Sequence, residues 1–119
     1  MICTSIEQSQ HLLELGLDPK TADMSYTYFD KGEPLLGLTP YMLNSRMAIP
    51  SWSLSALLEV ISKVTCISYL TIDTSYLIRC KDLGFLWQKD IAAKDPVTAA
   101  YEMVCWLIEQ GIIKKGGQK

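Results

Sequence analysis

Residues 95–111 have the sequence DPVTAAYEMVCWLIEQG, which contains both ends of a helix and the long apolar surface between them. Asp95 is of the type that caps the free amides at a helix start, and Pro96 suits the first helical position, where no N–H donor is needed. Gly111 suits the left-handed conformation that ends a helix. The stretch predicts a helix, and its apolar surface constrains how the rest of the chain packs.

The apolar surface of this helix is wider than one neighbouring sheet requires. At about 100° per residue the apolar side chains span roughly 220°, about twice the arc of a helix lying on one sheet. The polar stripe consists of Thr98, Glu102, Cys105 and Glu109. Either the helix is wedged within its own chain, which we favour because a large wet apolar patch is costly, or its Met103 and Trp106 side meets a second molecule.

A second helix is predicted to follow IPSWS at residues 49–53. Its apolar positions repeat at i, i+3, i+4 and i+7, which indicates one buried face. If Ser53 is the cap, Trp52 and Leu57 have the spacing at which two apolar side chains clasp a helix entrance.

A first helix is predicted from Thr4 to Gly16. Thr4 and Glu7 match the capping-box pattern, and Gly16 supplies the end. The following Asp18 and Pro19 interrupt the helical period and indicate a turn.

Strands are predicted between the helices. Alternation over Met24–Phe29 indicates a half-buried strand, and Leu35–Leu43 is its expected partner, at an edge or broken because of Pro40. Val64–Ile72 and Tyr76–Cys80 form a predicted hairpin. Leu83–Trp87 is either a further short strand or a loop tucked onto the core.

These elements predict an α+β fold in one domain over residues 1–119, with a flexible tail at about 114–119. The expected architecture is a small antiparallel sheet of four or five strands with three helices, in the order α-β-β-α-β-β(-β)-α. Strands joined by tight turns are antiparallel, and helices collect on one face of such a sheet.

Composition narrows the classes of function. The chain has 119 residues, 49% of them hydrophobic, and a formal net charge of -2, so it is long enough for a core and has no global attraction to phosphate. The start shows no signal peptide, and no apolar run approaches the length of a membrane span. We expect a cytoplasmic protein that does not bind membranes.

The cysteines and the single histidine give no metal or cofactor signature. The four cysteines are widely separated, so we expect reduced thiols, with no metal site and no cofactor. Cys66 and Cys80 are the one pair that would face each other if their strands pair, although a reducing cytosol would leave them unlinked.

No arrangement of residues indicates catalysis, so no enzyme class is supported and no catalytic residue is assigned. His11 is the one imidazole and has no partner motif around it. Asp82 and the other carboxylates near turns have no fixed partner at a working separation. An enzyme would need a pocket with convergent carboxylates around His11 or Asp82.

Tyrosine-bearing strands with nearby basic residues are compatible with stacking of single-stranded bases. The candidate contacts are Tyr69, Arg79 and Lys81. Tyrosines are common in strands for packing reasons, and the acidic balance of the chain opposes a large phosphate footprint.

Four tracts have a recognisable type: IEQS at 6–9, LELGLD at 13–18 with TADM at 21–24, IPSWSLSALL at 49–58, and AYEMV with WLIE within 99–109. They resemble a family of small uncharacterised proteins from gut Bacteroidales, often associated with prophage-like or other mobile regions, and the resemblance covers most of the chain. The resemblance implies no activity and no catalytic or binding residue. It leaves residues 30–47 as the variable part in which specific contacts would differ.

The leading hypothesis is a non-enzymatic accessory protein of a mobile element that acts through protein contacts. Its partner would be a second copy, through Met103 and Trp106, or another protein. The alternative is a single-stranded nucleic-acid-binding protein that uses the tyrosine-bearing strands.

Overall fold

The computed structural model describes residues 2–27, 35–37, 48–72, 75–84 and 86–114, and for residues 27, 35–37 and 69–72 it describes the backbone alone. Within these residues the chain has three α-helices: α1 (Ile6–Leu15), α2 (Leu54–Ser62) and α3 (Pro96–Glu109). Its strands are β1 (Met24–Thr27), β2 (Leu35–Gly37), β3 (Ala48–Ser51), β4 (Cys66–Ile72), β5 (Ser75–Lys81) and β6 (Gln88–Ala93). The α+β class with three helices is confirmed. None of these helices combines the length and apolarity needed to cross a membrane.

The start of α2 and both ends of α3 lie on the residues that the sequence predicts. Asp95 caps α3, since its Oδ2 accepts the Thr98 N–H at 2.9 Å. Gly111 follows the end of α3 with a φ of 76°, in the left-handed region. Ser53 caps α2 by accepting the Ala56 N–H at 3.2 Å.

The start of α1 lies one residue later than predicted. Ser5 and Gln8 form the capping box instead of Thr4 and Glu7: the Gln8 N–H donates to Ser5 Oγ at 3.1 Å, and the Ser5 N–H donates to Gln8 Oε1 at 3.0 Å. Thr4 is fully buried, so its hydroxyl makes tertiary contacts and does not cap the helix. Gly16 ends α1 with a φ of 98°, as expected.

Thr4 is the centre of a buried polar cluster that joins the start of the chain to β1 and β3. Its hydroxyl accepts the Trp52 N–H at 3.1 Å and lies 2.8 Å from Ser9 Oγ. Its carbonyl accepts hydrogen bonds from Ser51 Oγ at 2.8 Å and from the Tyr26 hydroxyl at 3.0 Å. Burial raises the pKa of Tyr26 to about 12. The cluster therefore holds the segment before α1 against strands β1 and β3.

The strands form two sheets, so the expected single antiparallel sheet of four or five strands is not found among the described residues. One sheet has the order β2-β1-β3 and the other β4-β5-β6, and every pairing in them is antiparallel. The predicted order lacks β3, which occupies residues assigned to the approach to α2, and β6, which follows the run predicted as an optional strand. Pro50 is tolerated in β3 because β3 is an edge strand.

Some predicted strands change at their ends. Predicted strand Met24–Phe29 is β1 as far as Thr27, and predicted strand Leu35–Leu43 is β2 as far as Gly37. Residues 28–29 and 38–43 lie outside the described residues, as does the predicted tail from 115 onward.

The pairing of β4 with β5 keeps Cys66 and Cys80 apart. Cys66 pairs with Lys81, and Cys80 pairs with Ile67, an offset of one residue. A one-residue offset places two side chains on opposite faces of a sheet. Cys66 is accordingly exposed and Cys80 buried, so the expected facing arrangement is wrong.

Helix α3 is wedged inside its own chain, where it contacts α1, α2, β5 and β6. Its buried residues are Val97, Ala99, Ala100, Met103, Val104, Cys105, Leu107 and Ile108. Packing within the chain therefore accounts for most of the wide apolar arc. Cys105 is buried although the helical projection places it on the polar stripe, and burial raises the pKa of its thiol to about 11.

Candidate functional site

The loop between β5 and β6 is the most exposed apolar feature of the described structure. The Asp82 N–H donates to the Trp87 carbonyl at 3.1 Å and closes the hairpin around residues 83–86. Leu83 is 63% exposed and Leu86 is 88% exposed. Hairpin loops usually consist of glycine, asparagine, aspartate, serine or proline, so two exposed leucines in one loop are unusual. Phe85 lies outside the described residues.

Two tryptophans connect this loop to α3. Trp87, directly after the loop, and Trp106 of α3 meet edge to face, with ring centroids 5.4 Å apart and planes at 63°. Lys89 Nζ lies 5.3 Å from the centroid of the Trp106 ring, a distance typical of a cation–π contact. Both tryptophans are half-buried. We refer to Leu83, Leu86, Trp87 and Trp106 as the loop surface.

The two interface residues predicted from the sequence have different environments. Met103 has no exposed surface and belongs to the core of its own chain. It therefore offers nothing to a second molecule in this structure, because the apolar arc is covered by the other helices and strands. Trp106 is half-buried and belongs to the loop surface.

Among the predicted nucleic-acid contacts, Arg79 has a carboxylate partner on β6. Arg79 forms a forked ion pair with Asp90, from Nε to Oδ1 at 2.9 Å and from Nη2 to Oδ2 at 3.0 Å. These hydrogen bonds hold the pKa of the Asp90 carboxyl below its ordinary value and that of the Arg79 guanidinium above it. Arg79 is thus already paired with a carboxylate.

The register also separates the tyrosine from the arginine. The backbone of Tyr69 pairs with Ile78, whereas Arg79 pairs with Ser68 and Asp90, at a position of opposite parity. The side chain of Tyr69 lies outside the described part of the structure. Lys81 pairs with Cys66 and Gln88, near the loop.

The residues considered for catalysis lie apart from one another. His11 is exposed on α1, with Nδ1 4.0 Å from Glu14 Oε2 and its ring 6.2 Å from the Tyr101 ring. Asp82 is at the base of the β5–β6 loop. Among the described residues, no three histidine, cysteine or acidic side chains come together as a metal-binding group. His11 and Asp82 therefore lie on different elements, α1 and the turn after β5.

An open cleft of about 300 Å³ separates the turn at Pro19–Thr21 from α2. It is lined by Lys20, Thr21, Ala56, Glu59, Val60 and Lys63. Thr21 Oγ1 accepts a hydrogen bond from Trp52 Nε1 at 2.8 Å and donates one to the Asp18 carbonyl at 2.6 Å. The threonine therefore has a structural role.

Comparison with known proteins adds no functional assignment: no family, no curated protein and no solved structure matches the chain.

Sequence reasoning missed the loop surface because an apolar run is ordinarily a buried element. The run LGFLW after Asp82 was expected to be a strand or a loop tucked onto the core. Its described residues form an exposed loop, and β6 begins at Gln88. The available signal was the turn-forming residues Asp82 and Gly84, directly after the strand pattern that ends at Cys80.

Proposed function

We propose that this chain is a non-enzymatic accessory protein that acts through protein contacts, with its loop surface as the binding site for another protein. The supporting observation is the exposure of Leu83 and Leu86, at 63% and 88%, in one hairpin loop. Burial of one leucine side chain contributes about 1.5–3 kcal/mol, so a partner that covers both leucines gains roughly twice that amount. The family resemblance, which points to mobile elements, is the reason to look for the partner among products of such an element.

The charged side chains around the loop support a partner with an acidic rim. Lys81 and Lys89 occupy positions of opposite parity next to the loop, so each face of the hairpin has a lysine there. Asp82 is the one acidic residue at the loop base. We therefore expect an apolar pocket that accepts leucine side chains, with acidic residues at its rim.

The test is affinity capture from the native host with three tagged forms of the chain. Wild type is compared with Leu83→Ser/Leu86→Ser and with Ile2→Ser, which removes a side chain that is also 68% exposed but lies elsewhere. We expect a protein that wild type and Ile2→Ser retain and the loop variant loses, and that binds again when purified. A partner that the loop variant retains would contradict the proposal.

A membrane is the competing explanation for exposed leucines, and the same variants distinguish it. Co-sedimentation with anionic phospholipid vesicles should give no binding for wild type. Vesicle binding that the loop variant loses and Ile2→Ser keeps would contradict a protein partner.

Single-stranded nucleic-acid binding stays as the alternative and makes a separate prediction. It requires salt-sensitive binding of an oligonucleotide that Arg79→Ala or Tyr69→Ala weakens. Because Arg79 is paired with Asp90 at 2.9 Å, we expect no such binding in fluorescence anisotropy at physiological salt. Salt-sensitive binding that depends on both residues would favour this alternative.

A further inference from the structure

The outer edge of β4 is a long strand edge that no described strand covers. In the order β4-β5-β6, β4 pairs on one side alone. Its seven residues, Cys66–Ile72, extend over about 23 Å at roughly 3.3 Å per residue. They pair with β5 without interruption, so no bulge bends this strand. An edge of this kind presents a row of backbone N–H and C=O groups to a further strand.

The sequence of β4 lacks the features that usually protect an edge. CISYLTI contains no charged residue, no proline and no glycine, whereas natural edges are blocked by charges, prolines, bulges or short length. The side chains of Cys66 and Ser68, which pair with Lys81 and Arg79, are small and exposed. Nothing on this part of the strand repels an approaching strand.

Each of the other three described edges has such a feature. Edge strand β2 is three residues long, and edge strand β3 contains Pro50. Edge strand β6 contains Lys89 and Asp90. The contrast singles out β4 as the edge open to pairing.

We infer that β4 pairs in antiparallel orientation with β4 of a second copy and joins the two β4-β5-β6 sheets into one continuous sheet. Antiparallel pairing of a strand with itself follows a two-fold axis, so it closes after two copies. An uncharged strand meets no like charge when it faces itself, which favours a second copy over a partner selected by charge.

This surface is distinct from the loop surface, which lies on the connection between β5 and β6. The dimer therefore displays two loop surfaces. Two linked copies bind a repeated or dimeric target more tightly than either copy alone. The inference does not depend on the proposed function, because pairing at β4 requires no partner protein.

The test measures the mass of the purified full chain by light scattering after size exclusion. The concentration is varied from about 10 µM to about 1 mM, the range in which weak dimers associate. The mass of the wild-type protein should rise with concentration towards twice the 13.4 kDa of one chain. Cys66→Lys/Ser68→Lys should weaken dimerisation about tenfold or more, because lysines are the usual block on an edge. The control Gln88→Lys/Ala92→Lys adds the same charge to exposed positions of β6 and should leave dimerisation unchanged.

Amide hydrogen exchange provides a second measurement if the β4 variant does not fold. Amides within Cys66–Ile72 should exchange more slowly in wild type at dimeric than at monomeric concentration. A strict monomer, a dimer unaffected by the β4 lysines in a folded variant, or concentration-independent exchange would each overturn the inference. Loss of the dimer in Leu83→Ser/Leu86→Ser would also overturn it and would place the contact at the loop.

Discussion

At the scale of single residues, the Thr4 hydroxyl lies at the centre of the buried polar cluster that joins the start of the chain to β1 and β3. Thr4→Val keeps the shape but removes the acceptor of the Trp52 N–H and the contact with Ser9 Oγ. Because a buried donor left without a partner is costly, we expect the free energy of unfolding to fall by about 1–3 kcal/mol. Urea denaturation measures this change.

The matched control for Thr4→Val is Ser55→Ala, which removes a hydroxyl from an exposed position of α2. Exposed substitutions of this kind usually change the free energy of unfolding by less than about 0.5 kcal/mol. Equal effects of the two substitutions would show that the cluster does not hold the chain start to β3.

At the scale of elements, the position of α3 rests on the burial of Met103. Met103→Ala leaves a cavity between α3 and its neighbours and should lower the free energy of unfolding by about 2–5 kcal/mol. Leu86→Ala, at a side chain that is 88% exposed, should change it by less than about 0.5 kcal/mol. If Met103→Ala and Leu86→Ala lower the free energy of unfolding by similarly small amounts in thermal and urea denaturation, α3 is not a core helix.

The helices were predictable because their signals are local. Asp95, Ser53 and the two terminal glycines lie within one turn of the helix ends that they determine. At α1 the sequence offers two overlapping capping boxes, and tertiary burial of Thr4 selects the one at Ser5. That choice depends on β3, more than forty residues along the chain, so local patterns do not reveal it.

Sheet membership was less predictable because it depends on pairing between strands that are distant in the sequence. Alternation identifies a strand but does not say which strand it pairs with. The strands therefore divide into two sheets although the sequence favours one. Leu83 and Leu86 are exposed because the hydrogen bond between Asp82 and Trp87 closes the hairpin on either side of them, which composition alone does not indicate.

At the scale of the whole molecule, burial of ionisable groups predicts loss of stability in alkali. Burial raises the pKa of Cys105 from 9.0 to about 11 and that of Tyr26 from 10.0 to about 12. The unfolded chain then ionises first as the pH rises. The free energy of unfolding is therefore highest below about pH 9 and declines as the pH rises towards 12.

Urea denaturation under reducing conditions from about pH 8 to pH 11 measures this decline. Cys105→Ala removes one contributing thiol and should make the decline between pH 9 and pH 11 less steep than in wild type. A free energy of unfolding that stays constant or rises over this range would contradict the burial of Cys105 and Tyr26.

The central claim, that the β5–β6 loop is where this molecule contacts another protein, is tested most directly by calorimetric titration of the captured partner. Leu86→Ser should weaken binding about tenfold or more, since a buried anchor residue contributes at least 1.4 kcal/mol. Ile2→Ser, at a residue that is also exposed, should stay within about twofold of wild type. Equal affinities for wild type and Leu86→Ser would contradict the claim.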